Sequence, residues 1–384
     1  MNKILKIIFI ISLNLLSIQA SGNTSDEKIK IGLLVPLSGD NEELGQLLIK
    51  STRLALKDIN NIELEIFPKD TLSNPSQTLK SAIQLKEMGI KIVIGPVFYD
   101  SLRYLEEAED MIFLSFTNRT LDLPKNVISA GINATSQINT IKKFTELNDV
   151  KKTIFLTPEL DYAPEIKKAI KKTKIKISKL YSYDTEPTKL TKQIEKITNY
   201  KRRKQNLTDE LKRVENSDLE DKDKQLEKLK KKYTIGGVNF DSIIISDFDE
   251  SLKSVITSLL YTDVSPKKKY FITFNQWFDQ SIIKETALQP LYYPSINYKN
   301  LKNFEKKFIK EFNETPNYLS LLSYDLVGLI YYLSLNNNVK EIEKLFKKKN
   351  SFKGKIGIFN IQNNKVNHRL NFYEIKKGKL RKVF

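Results

Sequence analysis

The side chains that most often carry out chemistry are scarce in this sequence. It contains no cysteine and a single histidine, His368, which excludes thiolate nucleophiles, disulfides, thiolate zinc sites and multi-histidine metal sites. Phosphate-loop, dinucleotide, H-E-x-x-H and G-x-S-x-G patterns are also absent. Asp247 and Asp249 form a carboxylate pair, but such pairs are common after strands without glycosidase chemistry. We therefore predict no catalytic residue, no metal and no cofactor, and we interpret His368 as a structural residue.

The basic charge is the compositional feature that needs an explanation. The 384 residues include 64 Lys and Arg against 46 Asp and Glu, a formal net charge of +18. Only 8 of the basic residues are arginine, the side chain that most often reads base edges and clamps phosphates, and the lysines are dispersed. A lysine, asparagine and isoleucine excess also follows from AT-rich codons. No nucleic-acid-binding motif is present, so nucleic acid is not a predicted partner.

Residues 1–20 have the three-part layout of a secretory signal. Lys3 and Lys6 precede an apolar stretch, and small residues follow it up to Ala20. Cleavage is expected after Ala20 or Gly22, and loss of the two lysines lowers the charge from +18 to +16. The alternative is an uncleaved anchor helix. Because a lipid-modification site needs a cysteine, we expect an exported chain without a lipid anchor, not an integral membrane protein after cleavage.

Strand and helix patterns alternate along most of the remaining chain. Alternation of this kind requires crossover connections and predicts a parallel, doubly wound sheet with a ligand edge at the carboxyl ends of its strands. Two alternating segments near the C terminus, 352–361 and 366–375, are joined by Asn363 and Asn364 and predict an antiparallel finish. The predicted strands are 29–35, 62–67, 90–94, 111–116, 127–130, 152–156, 175–181, 240–246 and 270–274, and the predicted helices are 43–59, 75–88, 100–109, 137–147, 163–171, 250–260, 301–312 and 320–335.

A highly charged segment, residues 188–233, interrupts the alternation. Within it, residues 201–233 hold 12 basic and 8 acidic side chains. The pattern predicts a helical insertion, with two helices that turn near Asn216. It is either a solvated projecting hairpin without chemistry or a docking surface. The sparse apolar seam of these helices consists of Leu207, Leu211, Val214, Leu226 and Leu229.

Several short motifs in a characteristic order give the sequence a family resemblance. Leu-Val-Pro-Leu-Ser-Gly at 34–39 and Ile-Val-Ile-Gly-Pro at 92–96 are followed by Leu-Ser-Phe-Thr-Asn at 114–118. Ser-Tyr-Asp at 323–325 and Phe-Lys-Gly-Lys-Ile-Gly at 352–357 agree with the same pattern. With these motifs, residues 28–384 resemble the type I periplasmic binding proteins of the leucine-binding-protein-like group.

A narrower resemblance follows from the segments around and after the insertion. The charged helices precede Phe-Asp-Ser-Ile-Ile at 240–244, and Leu-Tyr-Thr-Asp-Val at 260–264 and Asn-Gln-Trp-Phe-Asp at 275–279 follow. This arrangement is similar to that of the alphaproteobacterial penicillin-binding protein activators. The resemblance implies contact with a peptidoglycan synthase instead of supply to a transporter.

The family resemblance implies an α/β, two-lobed Venus flytrap in the periplasm, each lobe a doubly wound, mostly parallel sheet. Residues 28–131 and 295–350 would form lobe 1, and residues 132–294 and 351–384 would form lobe 2, with the 188–233 insertion within lobe 2. Ligands bind between such lobes because strand ends and helix N-termini from both sides converge there. Hinge closure then sequesters the ligand.

The resemblance, transferred position by position, gives a set of predicted cleft residues. Each follows a predicted strand, where Tyr162 could stack on a ligand and Asp247 could accept its ammonium group. Alternative interpretations are a helix N-cap for Ser38, an Asx-turn for Asp247 and a core position for Trp277. The predicted ligand-binding residues are Ser38, Gly39, Gly95, Tyr99, Ser115, Thr117 and Asn118 in the first lobe and Tyr162, Asp247 and Trp277 in the second.

The chain departs from the amino-acid-binding pattern at two points. Phe98, Tyr99 and Asp100 stand where small hydroxyl residues are usual, and Arg119 stands near a usual threonine. Asp100 would repel an α-carboxylate and Arg119 would attract one. The resemblance predicts a solute-binding protein that captures a small polar ligand, an amino acid or peptide-like molecule, for an ABC transporter permease. The alternative is a regulator of peptidoglycan synthesis that acts by contact with the synthase.

Overall fold

The computed structural model describes residues 28–60, 64–274, 280–335 and 342–384. The predicted signal segment and Trp277 lie outside these described residues. Among the described helices, none is long and apolar enough to cross a membrane.

The first sheet has five parallel strands in the order β2-β1-β3-β4-β5. Apolar residues fill both of its faces: Ile31 and Leu33 lie on one side, and Leu34 and Phe113 lie on the other. Burial on both faces explains the continuous apolar runs that mark these strands in the sequence. Its elements are β1 (Ile29–Val35), α1 (Glu42–Ile59), β2 (Leu64–Asp70), α2 (Pro75–Glu87), β3 (Ile92–Ile94), β4 (Ile112–Ser115) and β5 (Val127–Ser129).

The second sheet has seven strands in the order β15-β14-β10-β9-β8-β6-β7. Strands β6 to β10 run parallel, whereas β14 pairs antiparallel with both β10 and β15. Its elements are α3 (Ala134–Leu147), β6 (Thr153–Pro158), α4 (Ala163–Thr173), β7 (Lys179–Tyr183), α5 (Pro187–Ile197), α6 (Tyr200–Glu215), α7 (Lys222–Lys230), β8 (Ser242–Ile245), α8 (Asp249–Tyr261), β9 (Tyr270–Thr273), α9 (Gln280–Lys284) and β10 (Leu291–Ser295), closed by β14 (Asn371–Lys376) and β15 (Lys379–Lys382).

A third, antiparallel sheet of β11 (Asn350–Lys353), β12 (Ile358–Gln362) and β13 (Lys365–Arg369) lies beside the chain crossings between the two larger sheets. The predicted turn at Asn363 and Asn364 is confirmed, with φ of 51° and 55°. Both residues adopt the left-handed conformation that two-residue hairpin loops require and asparagine tolerates.

Two buried side chains fasten this third sheet. His368 is 3% exposed, and its Nε2 lies 2.8 Å from the Ala130 carbonyl oxygen at the first crossing. Asp325 is 2% exposed and accepts the backbone N–H groups of Lys355 at 2.9 Å and Ile356 at 2.7 Å. A Cβ at Gly354 would overlap the Asp325 carboxylate, so only glycine fits there.

Helices α10 (Tyr298–Phe312) and α11 (Tyr318–Ser334) return the chain to the first sheet, where α11 packs along α1, and the short helix α12 (Ile342–Leu345) follows. We call the first sheet with α1, α2, α10 and α11 the first lobe, and the second sheet with α3 to α8 the second lobe. The predicted two-lobed α/β fold is confirmed. The numerical lobe boundaries given above stay a prediction.

Four predicted elements differ from the structure. The alternating segment 352–361 is interrupted at 354–357, where the chain turns from β11 to β12. Residues 100–109 form two single 3-10 turns, Asp100–Leu102 and Leu105–Glu107, instead of a helix. The predicted strand 175–181 begins later and is Lys179–Tyr183. The last predicted strand, 366–375, divides at Leu370, because its first half pairs with β12 in the third sheet and its second half pairs with β10.

The charged insertion is helical, as the sequence indicates, and α6 ends at a turn capped by Asn216. It contains three helices, α5, α6 and α7, instead of the predicted two. Its small core of Leu207, Val214 and Leu229 is separate from the cores of the lobes. Arg203, 5% exposed, fastens this core to the second lobe. Its guanidinium donates to the carbonyl oxygens of Thr198, Gly236, Thr262 and Asp263 and to the Thr234 hydroxyl.

Candidate functional site

The loop after β1 holds the predicted cleft residues Ser38 and Gly39. The Ser38 hydroxyl donates to Asp70, and the backbone N–H groups of Leu37 and Leu72 donate to the same carboxylate at 2.8 and 2.9 Å. Although burial opposes it, this set of hydrogen bonds keeps the pKa of Asp70 below its ordinary value. The N-cap of α1 is Asn41, so the alternative N-cap interpretation of Ser38 is wrong. The Ser38 hydroxyl therefore stabilises the conformation of this loop through Asp70.

The ends of β3 and β4 bring Gly95, Ser115 and Thr117 together. Ser115 is fully buried, and its hydroxyl donates to the Pro96 carbonyl oxygen at 2.9 Å and accepts the Thr117 N–H at 3.2 Å. Gly95 has a φ of +108°, and a Cβ there would overlap the Leu34 carbonyl oxygen. Asn118, the next residue after Thr117, is exposed.

Tyr99 and Arg119 form a pair at the same edge. The Arg119 guanidinium lies 4.6 Å from the centre of the Tyr99 ring, a cation–π distance. The Tyr99 hydroxyl donates to the carbonyl oxygens of Leu121 and Asp122 at 3.4 and 3.5 Å. Asp100, which the sequence places next to this site, is exposed in a 3-10 turn.

In the second lobe the structure brings Tyr162 and Asp247 together. Asp247 is 3% exposed and accepts the Tyr183 hydroxyl at 2.6 Å and the Ser251 hydroxyl at 2.7 Å. The Tyr162 hydroxyl donates to the Ser246 carbonyl oxygen at 3.2 Å, and burial together with Asp247 raises the pKa of Tyr162. The Asp247 oxygens therefore already hold two hydroxyl groups from their own lobe.

Direct contacts join the two lobes at this edge, and we call them the latch. Arg119 of the first lobe forms an ion pair with Asp161, which precedes α4 of the second. Glu165 in the first turn of α4 accepts the Thr120 N–H and the Leu121 N–H, both at 2.5 Å, and the Thr120 hydroxyl at 2.8 Å. Charge-assisted hydrogen bonds of this type are among the stronger ones in proteins.

The latch and the loops use most of the hydrogen-bonding capacity that a ligand would need. The hydroxyls of Ser38, Ser115 and Tyr162 each have a protein partner, and Arg119 is paired with a carboxylate. In the part of the chain that the structure describes, no cluster of three or more His, Asp or Glu residues could hold a metal ion. The site is therefore suited to contacts between the lobes.

The second-lobe half of the latch was not predicted from the sequence. Acidic residues are ordinary at the start of a helix, so their type and their position there gave no reason to assign Asp161 and Glu165 to a site. The sequence does contain a signal for these two residues. Both follow a strand of the second lobe, as Arg119 follows a strand of the first lobe.

Loss of the latch is expected to open the lobes. Asp161→Asn with Glu165→Ala removes an ion pair and three hydrogen bonds to a carboxylate, a loss of about 2–4 kcal/mol from the closed arrangement. Small-angle X-ray scattering should report a larger radius of gyration for this variant. Asp149→Asn with Glu159→Ala, two exposed carboxylates of the second lobe, is the matched control. Equal radii for the two variants contradict the assignment.

Comparison with known proteins agrees with this architecture. Residues 28–201, a little under half of the chain, match the family model described as periplasmic binding protein. The predicted resemblance to the type I periplasmic binding proteins is thus confirmed. No curated protein matches the sequence significantly.

Solved structures with the same fold include both transport proteins and regulators. The C-domain of LpoA from Haemophilus influenzae, a regulator of PBP1A, superposes with a TM-score of 0.64 at 16% identity, over 92% of this chain and 100% of that one. A putative branched-chain amino acid ABC transporter protein from Rhodospirillum rubrum gives 0.71 at 12% identity, over 93% and 100%. LivJ from Streptococcus pneumoniae, in complex with isoleucine, gives 0.54 at 17% identity, over 92% and 98%.

Proposed function

We propose that this protein is an exported, periplasmic regulator that acts by direct contact with a peptidoglycan synthase. The latch is the observation that carries the proposal. A solute receptor needs lobes that separate and cleft side chains that are free to bind a ligand. In this structure Arg119 and Glu165 are each bound to residues of the opposite lobe. A body held closed by its own contacts is suited to presenting its outer surface to another protein.

The insertion provides such a surface. Tyr233, 77% exposed, and Leu219, 41% exposed, are large apolar side chains on its exit loop and at its turn, among lysines and acidic residues. Exposed tyrosines surrounded by charged groups are common anchors at protein interfaces. The resemblance to the activators and the fold shared with the LpoA C-domain support a synthase of the PBP1A type as the partner.

The structure also indicates how this surface should be tested. Deleting the insertion would remove Arg203 and leave the carbonyl oxygens of Thr262 and Asp263 unpaired inside the second lobe. Surface substitutions avoid this damage. Tyr233→Ser with Leu219→Ser should leave the melting temperature almost unchanged, because both side chains are largely exposed.

The experiment measures binding to the PBP1A-type synthase of the same organism by biolayer interferometry. The double variant is expected to weaken binding about tenfold or more, the usual effect of losing interface anchors. Leu147→Ser, which removes a 64% exposed leucine elsewhere on the second lobe, should bind like the unmodified protein. Absence of synthase binding by the unmodified protein contradicts the proposed function.

The second candidate function is a solute receptor for an ABC transporter permease. One feature favours it: the Arg119 guanidinium at the cleft edge could exchange its Asp161 partner for the carboxylate of an amino acid or short peptide. A thermal-shift screen with these ligands distinguishes the two functions, since a ligand at 100 times its dissociation constant adds about 2.7 kcal/mol of stability. A clear shift that Arg119→Gln abolishes would favour the receptor.

A further inference from the structure

A cavity of about 250 Å³ lies where the two lobes meet the hairpin of the third sheet. Its walls come from the loop that follows the latch residues, the start of α3, the second half of α4, and the β12–β13 turn. None of the predicted cleft residues lines it, although Thr120 of the latch forms part of one wall. Four lysines, Lys125, Lys168, Lys172 and Lys365, lie in the lining, and no carboxylate does.

The lysines are close enough to affect one another. Partial burial, together with Lys365 and Lys168, lowers the pKa of Lys172. Lys125 has a partner outside the lining, Glu106 at 3.3 Å. Glu165, a carboxylate on the same helix as Lys168 and Lys172, is bound by the latch. Lys168 donates to the Thr120 carbonyl oxygen at 3.4 Å. All four lysines reach solvent and no carboxylate lies in the lining, so the mouth of the cavity carries a positive charge that its own walls do not neutralise.

Neutral groups with unused hydrogen-bonding capacity lie beside the lysines. Thr135, in the first turn of α3, is 8% exposed, and its hydroxyl has no hydrogen-bond partner among the described residues. The side-chain oxygens of Asn364 and Asn367 are also buried without a partner, and rotation of either amide would place its N–H₂ donor at the same position. The N-terminus of the 14-residue helix α3 adds the partial positive charge of its first N–H groups.

We propose that this cavity binds a phosphate-class oxyanion, which joins α4, the start of α3 and the hairpin of the third sheet. The cavity volume suits a phosphoryl group with a small substituent, and lysine ammonium groups with hydroxyl and amide donors are suitable ligands for its oxygens. The phosphoryl group belongs either to a free phosphate or to the headgroup of an anionic phospholipid. The proposal is independent of the proposed function.

Isothermal titration of the protein with inorganic phosphate, at low ionic strength and with acetate as the reference anion, tests the site. Lys172→Gln is expected to weaken phosphate binding about tenfold or more, since a hydrogen bond to a charged group is lost. Thr135→Val should weaken it about fivefold. Lys171→Gln is the matched control, because Lys171 is an exposed neighbour on the same helix that does not line the cavity.

A second arm of the experiment distinguishes the two sources. Sedimentation with phosphatidylglycerol vesicles that is lost in Lys172→Gln but retained in Lys171→Gln assigns a lipid headgroup, whereas phosphate binding with the same dependence and no vesicle binding assigns a free phosphate. The proposal is overturned if neither probe binds. It is also overturned if the two lysine variants lose binding equally, because general attraction to a basic protein then explains the result.

Discussion

Replacement of Asp325 with alanine is expected to lower the free energy of unfolding by about 3 kcal/mol at neutral pH. The substitution leaves the N–H groups of Lys355 and Ile356 without their acceptor in the interior, at about 1–3 kcal/mol each, less the relief from removing a buried charge. Asp325→Asn keeps one acceptor and directs an amide N–H₂ at the other donor, so an intermediate loss is expected. Urea unfolding measures both.

The control for this prediction is Glu311→Ala, which removes an exposed carboxylate paired with Lys57 at 2.7 Å. Surface pairs of this kind contribute about 0–1 kcal/mol. If Asp325→Ala costs no more than Glu311→Ala, then Asp325 does not hold the third sheet to the first lobe.

Replacement of His368 with glutamine is expected to remove a contribution that destabilises the protein in acid, which urea unfolding at several pH values resolves when Asp325→Asn is the common background. Burial lowers the pKa of His368 from 6.5 to about 4 in the folded protein. Because the folded pKa is depressed, the unfolded chain binds the proton more tightly, and stability that is complete above pH 6.5 declines as the pH falls toward 4. The loss amounts to about 3 kcal/mol. Glutamine keeps an N–H donor for Ala130 and cannot titrate.

The expected acid loss has a structural cause. Nε2 can donate its proton to the Ala130 carbonyl oxygen, but Nδ1 is buried without a partner, so a second ring proton would have no acceptor. Since the chain has one histidine, its ring signals in an NMR titration belong to this residue alone. A measured pKa near 6.5 in the folded protein contradicts the prediction.

Asp325 has the opposite effect on stability over nearly the same pH range. Burial raises the pKa of Asp325 to about 6, despite the two N–H groups that favour its charged form. The folded protein therefore binds this proton more tightly, and the free energy of unfolding falls as the pH rises from about 4 to about 6. The two slopes offset each other in the unmodified protein, so each becomes visible only when the other residue is replaced.

Much of the fold could be predicted because its strands are buried on both faces. Short apolar runs such as 31–35 and 243–245 leave few other interpretations, and the density of charge sets residues 201–233 apart. The end of the chain was harder to predict. Residues 366–375 contain neither glycine nor proline, and only pairing partners distant in sequence divide them at Leu370 between two sheets. The helix expected at 100–109 shortens to isolated turns.

The candidate site was less predictable than the fold, since its interactions join distant elements. Strand ends gave the positions of Ser115, Tyr162 and Asp247, but not their partners. The sequence around a serine at the end of a strand does not distinguish a serine that binds a ligand from one that donates to a neighbouring carbonyl oxygen. Only the docking of the lobes shows that Arg119 faces Asp161.

The way the chain crosses between its lobes sets an order of events during folding. The strands of the first sheet lie within residues 29–129, but α11, which covers its helix α1, begins nearly two hundred residues after the last of these strands. The second sheet is completed by β14 and β15, which follow later still. If the chain is exported N-terminus first, neither core can close until these last segments arrive. Long-range closure of this kind slows folding and leaves apolar strands exposed meanwhile. The net positive charge of the lysine-rich chain then matters before folding is complete, because like charges on unfinished chains repel one another and oppose aggregation.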